Sequence, residues 1–293
     1  MRALAEFIMR GRMQAIAVAS FALVTLMFSW VAAAIVVLVT LSRGKNEGLL
    51  VAAWASLPAL LIAWQGNPLP LLAVIGGYIG GYALGATRSW SVALLSQVVV
   101  CVAVASLLLT TDSTFVAEVM KMQQQMVVTS LDQVDESTRN QVLALLSDPV
   151  FITGALALNQ MLFGVLSLIL GRWWQALLYN PGGFQQEFHQ LRLSPQLAVL
   201  FTVLFMAIGL QGGSFGIWGL ILVMPILLAG IALVHWLVKA KQWSKQLLVL
   251  FYIVLLLSIV SSLLIVQILV IAAIADSFLN LRSRLAGNSG QND

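Results

Sequence analysis

The sequence predicts an all-α fold, a polytopic transmembrane helix bundle of about 8–10 membrane helices, and three observations carry that prediction. Residues 13–42, 48–87, 89–111, 149–171, 193–238 and 246–275 contain no Asp, Glu, Lys or Arg. A hydrocarbon core of ~30 Å takes about 20 apolar residues per helix, so every one of these runs is long enough to cross. The composition agrees, at 60% hydrophobic and 9% charged residues, with a mean hydropathy of +0.98. The 293 residues read as one membrane domain, 1–293, because the runs leave little chain for a soluble one.

The elements follow in order. Met1 to Arg12 is basic, and with no small-residue cleavage site after the next apolar run the first helix is read as retained. Run 13–42 is either one tilted helix or two short ones, with Ser29-Trp30 as a turn point. Run 48–87 breaks at Gln65-Gly66-Asn67-Pro68-Leu69-Pro70, giving helices near 47–64 and 69–86. Ser89 caps the helix that begins at Trp90. Asp148-Pro149 and Ser194-Pro195 each set a capping side chain before a proline at the first helical position. Run 193–238 breaks at Gln211-Gly212-Gly213-Ser214-Phe215-Gly216, and run 246–275 has Ser261-Ser262 as its turn point.

Charge decides how the two 30-residue runs fold. Arg2, Arg10 and Arg12 precede the first and Arg43 and Lys45 follow it; Lys239, Lys241 and Lys245 precede the last and Arg282 and Arg284 follow it. If both are hairpins, all these groups share one side with Arg88, Arg172 and Arg192, as the positive-inside tendency requires. Both termini are then cytoplasmic, and the acidic segment 112–148 lies outside. Val116, Val119, Met120, Met126 and Val127 fall on one helical face of that segment, with Val142, Leu143, Leu145 and Leu146 marking a second short helix. Such pieces cap a bundle, lie along the membrane surface, or close a cavity as a lid. The cytoplasmic loop 172–194 carries a turn at Asn180-Pro181-Gly182-Gly183, then Phe184, Glu187, Phe188 and Leu191 at helical spacing, an interfacial helix or a docking surface.

Few groups can carry chemistry. Gln97, Asn159, Gln160 and Gln267 are the polar side chains at membrane depth and the candidate ligand-binding residues. An amide there bonds another helix or contacts a solute. The string 76–85 offers Gly76, Gly77, Gly80, Gly81 and Gly85 as overlapping small-xxx-small pairs, suited to helix packing or to opening room for a ligand. His235, Asp276, Asn280 and Arg282 form a polar cluster at cytoplasmic helix ends, an ion pair or helix cap, with proton coupling the sharper reading of Asp276.

Enzyme chemistry finds no support. Ser214 belongs to the outer loop and His235 lies 21 residues on, along the helix that follows, ~30 Å away at 1.5 Å per residue and too far for a Ser–His hydrogen bond. No His-Glu-x-x-His, paired intramembrane carboxylates or phosphate loop occurs. The single cysteine, Cys101, supports neither an intrachain disulfide nor a Cys-based metal site, and no cofactor is implied. The net charge of +4 is assigned to loops flanking helices rather than to a nucleic-acid partner.

The ending Asp276, Phe278, Asn280, Arg282 resembles that of the YybS-like family of bacterial membrane proteins, with Leu281 in place of the second aromatic and Asn280 in place of the acid. Arg43-Gly44 with Gly48 also resembles that family's basic-glycine turn. The family's layout is similar to the membrane-embedded substrate-binding components of energy-coupling-factor vitamin transporters. The function of that family is unassigned, and the resemblance implies only a bacterial membrane protein of this layout. The polar residues at depth, the glycine face and the outer segment as a lid point to an inner-membrane protein that binds or transports a solute, with a membrane partner. The alternative is a non-transporting scaffold or assembly protein.

Overall fold

The computed structural model describes residues 1–111, 114–130 and 135–287. Its first helices are α1 (Arg2–Met9), α2 (Arg12–Val24), α3 (Ser29–Arg43), α4 (Lys45–Trp64), α5 (Leu69–Thr87) and α6 (Trp90–Thr110). Next come α7 (Thr114–Ser130), α8 (Glu136–Leu146) and α9 (Pro149–Tyr179). The chain ends with α10 (Gly183–Gln190), α11 (Pro195–Gln211), α12 (Gly216–Ala240), α13 (Gln246–Ser261), α14 (Leu264–Leu279) and α15 (Leu281–Gly287). No strand occurs among the described residues, and the fold is all-α. Helices α4, α5, α6, α9 and α12 are each long and apolar enough to cross a membrane, and seven spans result if the bent pairs α10–α11 and α13–α14 count as one each. The charge-free runs hold ten helices, four of them (α2, α3, α13 and α14) from the two 30-residue runs.

The chain divides into two compact units, Met1–Pro181 with Ala207–Ile221, and Gly182–Met206 with the described residues from Leu222 onward. In the first unit, run 13–42 is a hairpin. Arg12 pairs with Glu47 and Arg43 donates to the Met9 carbonyl, so the start of α2 and the end of α3 share one end. With 13 and 15 residues, these helices are ~20 and ~22 Å long, short of a ~30 Å core. The turn falls at 25–28, ahead of the expected Ser29-Trp30. Leu26 reverses the chain at φ 52°, and the Thr25 hydroxyl donates to the Ala22 carbonyl at 2.7 Å. Ser29 instead opens α3 with its side chain buried.

Every residue of α3 from Ala32 to Thr40 is buried. Glycines make that possible. A Cβ on Gly77 would lie 2.9 Å from the Ala33 carbonyl oxygen, and one on Gly81 3.1 Å from Val37 Cα. On α9, a Cβ at Gly171 would lie 2.7 Å from the Ala34 carbonyl oxygen. The contacts of α3 step forward together with those of both neighbours. Ser167 donates to Trp30 O at 2.7 Å and Gln175 to Leu41 O at 2.9 Å, so α3, α5 and α9 run parallel. Arg12, Arg43 and Arg88 therefore lie toward one end of this unit. Gly44, at φ 92°, makes the link into α4 that a side chain would strain.

Helix α9 continues through the first part of the expected loop 172–194, because nothing breaks it before Asn180-Pro181-Gly182. At its other end Asp148 accepts from the Val150 N–H at 2.8 Å. Helix α7 buries Phe115 and Val116 against Val104, Leu108 and Ile152, with Val119 and Met120 alongside. Met126, expected on that face, is exposed. Gln124 donates to Ser147 at 2.9 Å, joining α7 to α8. The Thr138 backbone N–H, bonded to Asp135 at the start of α8, holds that carboxyl below its ordinary range.

In the second unit, α13 and α14 meet at 113°. The elbow falls at Ser262-Leu263, next to the expected turn point, with Leu263 at φ 55°. The serine that satisfies it is Ser258, buried, whose hydroxyl accepts from the Ile265 N–H at 2.9 Å. Helix α12 passes close to α14 at Gly230, where a Cβ would lie 2.6 Å from the Leu269 carbonyl oxygen.

Replacing Gly77 by Leu should cost well over the 1–3 kcal/mol typical of overpacking, because the obstructing atoms are backbone. Gly209 has nothing within 4 Å of its Cβ position, and Gly209→Leu should leave detergent melting unchanged. Equal melting temperatures for the two variants would show that α3 is not held by the α5 glycines.

Candidate functional site

The first unit brings two of the four membrane-depth amides together. Gln97, on α6, is 1% exposed, and its Nε2 donates to the Gly76 carbonyl at 2.9 Å. A Cβ at Gly80 or Gly164 would overlap its amide, so three glycines from α5 and α9 form its seat. Gln160, on α9, is 5% exposed and makes no side-chain hydrogen bond among the described residues. The space that Gly76 leaves by lacking a side chain lies between the two. A Cβ there would be 3.5 Å from Gln97 Oε1 and 4.0 Å from Gln160 Nε2. An acceptor and a donor thus face one small volume, and the runs that supply these residues carry no charge.

The glycine string therefore has two faces. Gly77, Gly81 and Gly85 face α3, while Gly76 and Gly80 face the Gln97 amide. Asn159 and Gln267 do not join the pair. Asn159 points away from the first unit's core and is exposed, and Gln267 is exposed on α14 in the second unit.

The second unit assembles most of the expected polar cluster. Asp276, 2% exposed, pairs its Oδ2 with Arg282 Nε at 3.2 Å. Arg282 also donates to the carbonyls of His189 and Leu191, the latter at 2.7 Å. Asn280 ends α14 in the left-handed conformation at φ 48°, its N–H bonded to the Asp276 carbonyl at 3.0 Å. His235 stands apart from the ion pair. It bonds Tyr252 at 2.8 Å and packs on Phe188 at 5.3 Å and His189 at 6.3 Å between ring centroids. Burial pushes the Arg282 guanidinium below its ordinary value; Asp276 opposes that and Arg192 adds to it. Asp276 Oδ1 is buried without a hydrogen-bond partner among the described residues. With Asp276 and two carbonyls around its guanidinium, Arg282 acts as a clasp holding 189–191 against the end of α14.

Sequence reasoning missed Gly164, Gly171, Ser258 and His189. Gly164 and Gly171 are seven residues apart and so share a helical face, a signal comparable to the α5 string. His189 contributes its backbone carbonyl to the clasp, which no residue type announces.

Compared with protein-family models, curated proteins and solved structures, the chain finds no match.

Arg282→Lys should destabilise the second unit nearly as much as Arg282→Ala, because an ammonium cannot span a carboxylate and two carbonyls together. The loss should approach the 3–5 kcal/mol, on the order of magnitude, seen when one partner of a buried pair is removed. Thermal melting in detergent reads this directly, and full rescue by Lys would show that the fork geometry is immaterial.

Proposed function

We propose that this chain binds a small polar solute within its first unit, as a bacterial inner-membrane protein working with a membrane partner. The observation that carries this reading is Gln160, buried at membrane depth without a partner, beside Gln97 Oε1 across the space left by Gly76. An amide left unpaired at membrane depth costs free energy, and a solute with both a donor and an acceptor would recover it. The pair has no nucleophile or titratable group, so the role proposed is binding or carriage rather than catalysis. The YybS-like layout, an inner-membrane location and cytoplasmic termini belong to the same proposal, supported by the gathering of Arg12, Arg43 and Arg88 toward one end of the first unit. A scaffold is the second reading, favoured by the backbone contacts that grip α3 and leave it little freedom to move.

Gln160 separates the two readings. Gln160→Leu removes no hydrogen bond seen in the structure and should leave the melting temperature unchanged. Retention of a copurified solute, followed by mass spectrometry, should fall tenfold or more, the factor that ~1.4 kcal/mol of lost contact gives. Gln97→Leu should lower both, since it also removes the bond to Gly76, worth about 0.6 kcal/mol. Lower stability of Gln160→Leu with retention unaltered would overturn the solute reading.

Reporter fusions test the orientation. A fusion after Ser130 should report the outer side and one after Asp293 the cytoplasm. Both reporters in one compartment would refute the proposed layout.

A further inference from the structure

Asn159 occupies the middle of the charge-free run 149–171, ten residues and ~15 Å along α9 from Pro149. Its side chain is exposed and has no hydrogen bond among the described residues. The hydroxyls about two turns away on either side are satisfied: Ser167 donates to Trp30 O and Phe163 O, and Thr153 to Pro149 O. The stripe it belongs to continues through Leu162 and Leu166, 40% and 36% exposed, with Ala155 one turn before. Hydrocarbon cannot bond an amide, so this face calls for a polar partner at mid-membrane.

We propose that the partner is a second copy of this chain, docked on the α9 face with the two Asn159 amides paired across a two-fold axis. A primary amide carries both an acceptor and a donor, so it is complementary to itself. Two copies inserted in the same orientation are related by an axis along the membrane normal, and residues near that axis meet their own equivalents at the same depth. A matching group is thus supplied at the right height by the symmetry. The rest of the stripe suits close approach, since Ala155 is small and the run holds no charge to repel its copy. A single polar residue in an apolar helix seam fixes register and partner number in the same way.

The test uses the full chain in native membranes. Cys101 is buried and stays in place. Asn159→Cys should give an oxidant-induced disulfide dimer, while Val99→Cys, 59% exposed on α6, should not. Energy transfer between labelled copies in lipid should show association of the wild type, at least tenfold weaker in Asn159→Leu and largely restored in Asn159→Gln, with melting unchanged in all three. Cross-linking no greater for Asn159→Cys than for Val99→Cys would overturn the proposal. So would wild-type copies that do not associate, or a cross-link to a different protein. If Asn159→Cys fails to accumulate, the energy-transfer series decides alone.

Discussion

The contact on which the first unit depends is the approach of the α3 backbone to α5 and α9. It exists because Gly77, Gly81 and Gly171 present no side chain where α3 passes. Apolar burial gives little drive for helix association inside lipid, so close dispersion contact and a few polar bonds must supply it. The bonds from Ser167 to Trp30 O and from Gln175 to Leu41 O lie along the same line of contact and fix its register. Once α3 is placed, the end of the hairpin is placed too, and with it the Arg12–Glu47 pair.

The two units handle buried polarity differently. In the second, Arg282 gathers a carboxylate and two carbonyls, so the group most costly to bury is the best surrounded. In the first, Gln97 is well seated while Gln160, across the same gap, keeps all its hydrogen-bonding capacity. Neither network is complete, since Asp276 Oδ1 in the second unit is also left without a hydrogen bond among the described residues. The amide pair, rather than the ion pair, is read as the place where a solute would sit because an acceptor and a donor face the space left by Gly76 there.

Much of the fold is written locally. Spacing of charges marks the spans, and Ser89, Asp148 and Ser194 act as caps on helices that begin one residue later. The facing of each side chain is not local. Asn159 and Gln160 are adjacent, ~100° apart on the helix, and only the position of α6 and α5 decides that Gln160 turns inward. The glycine string similarly states that something approaches closely, but not that one face meets a helix and the other an amide 17 to 21 residues further on. The Ser258 elbow lies four residues from the break it satisfies, so a search for turn formers at the break itself passes over it.

The shortness of α2 and α3 has a consequence for biogenesis. Neither helix matches the bilayer core alone, and α3 finds its full set of contacts only when Gly171 has been made. That glycine follows Arg43 by 128 residues, a delay on the order of ten seconds at typical synthesis rates. During that interval the N-terminal hairpin lacks its final neighbour. Membrane insertion and tertiary assembly are thus separate events for this segment, with the nascent hairpin waiting at the bilayer for a helix still on the ribosome.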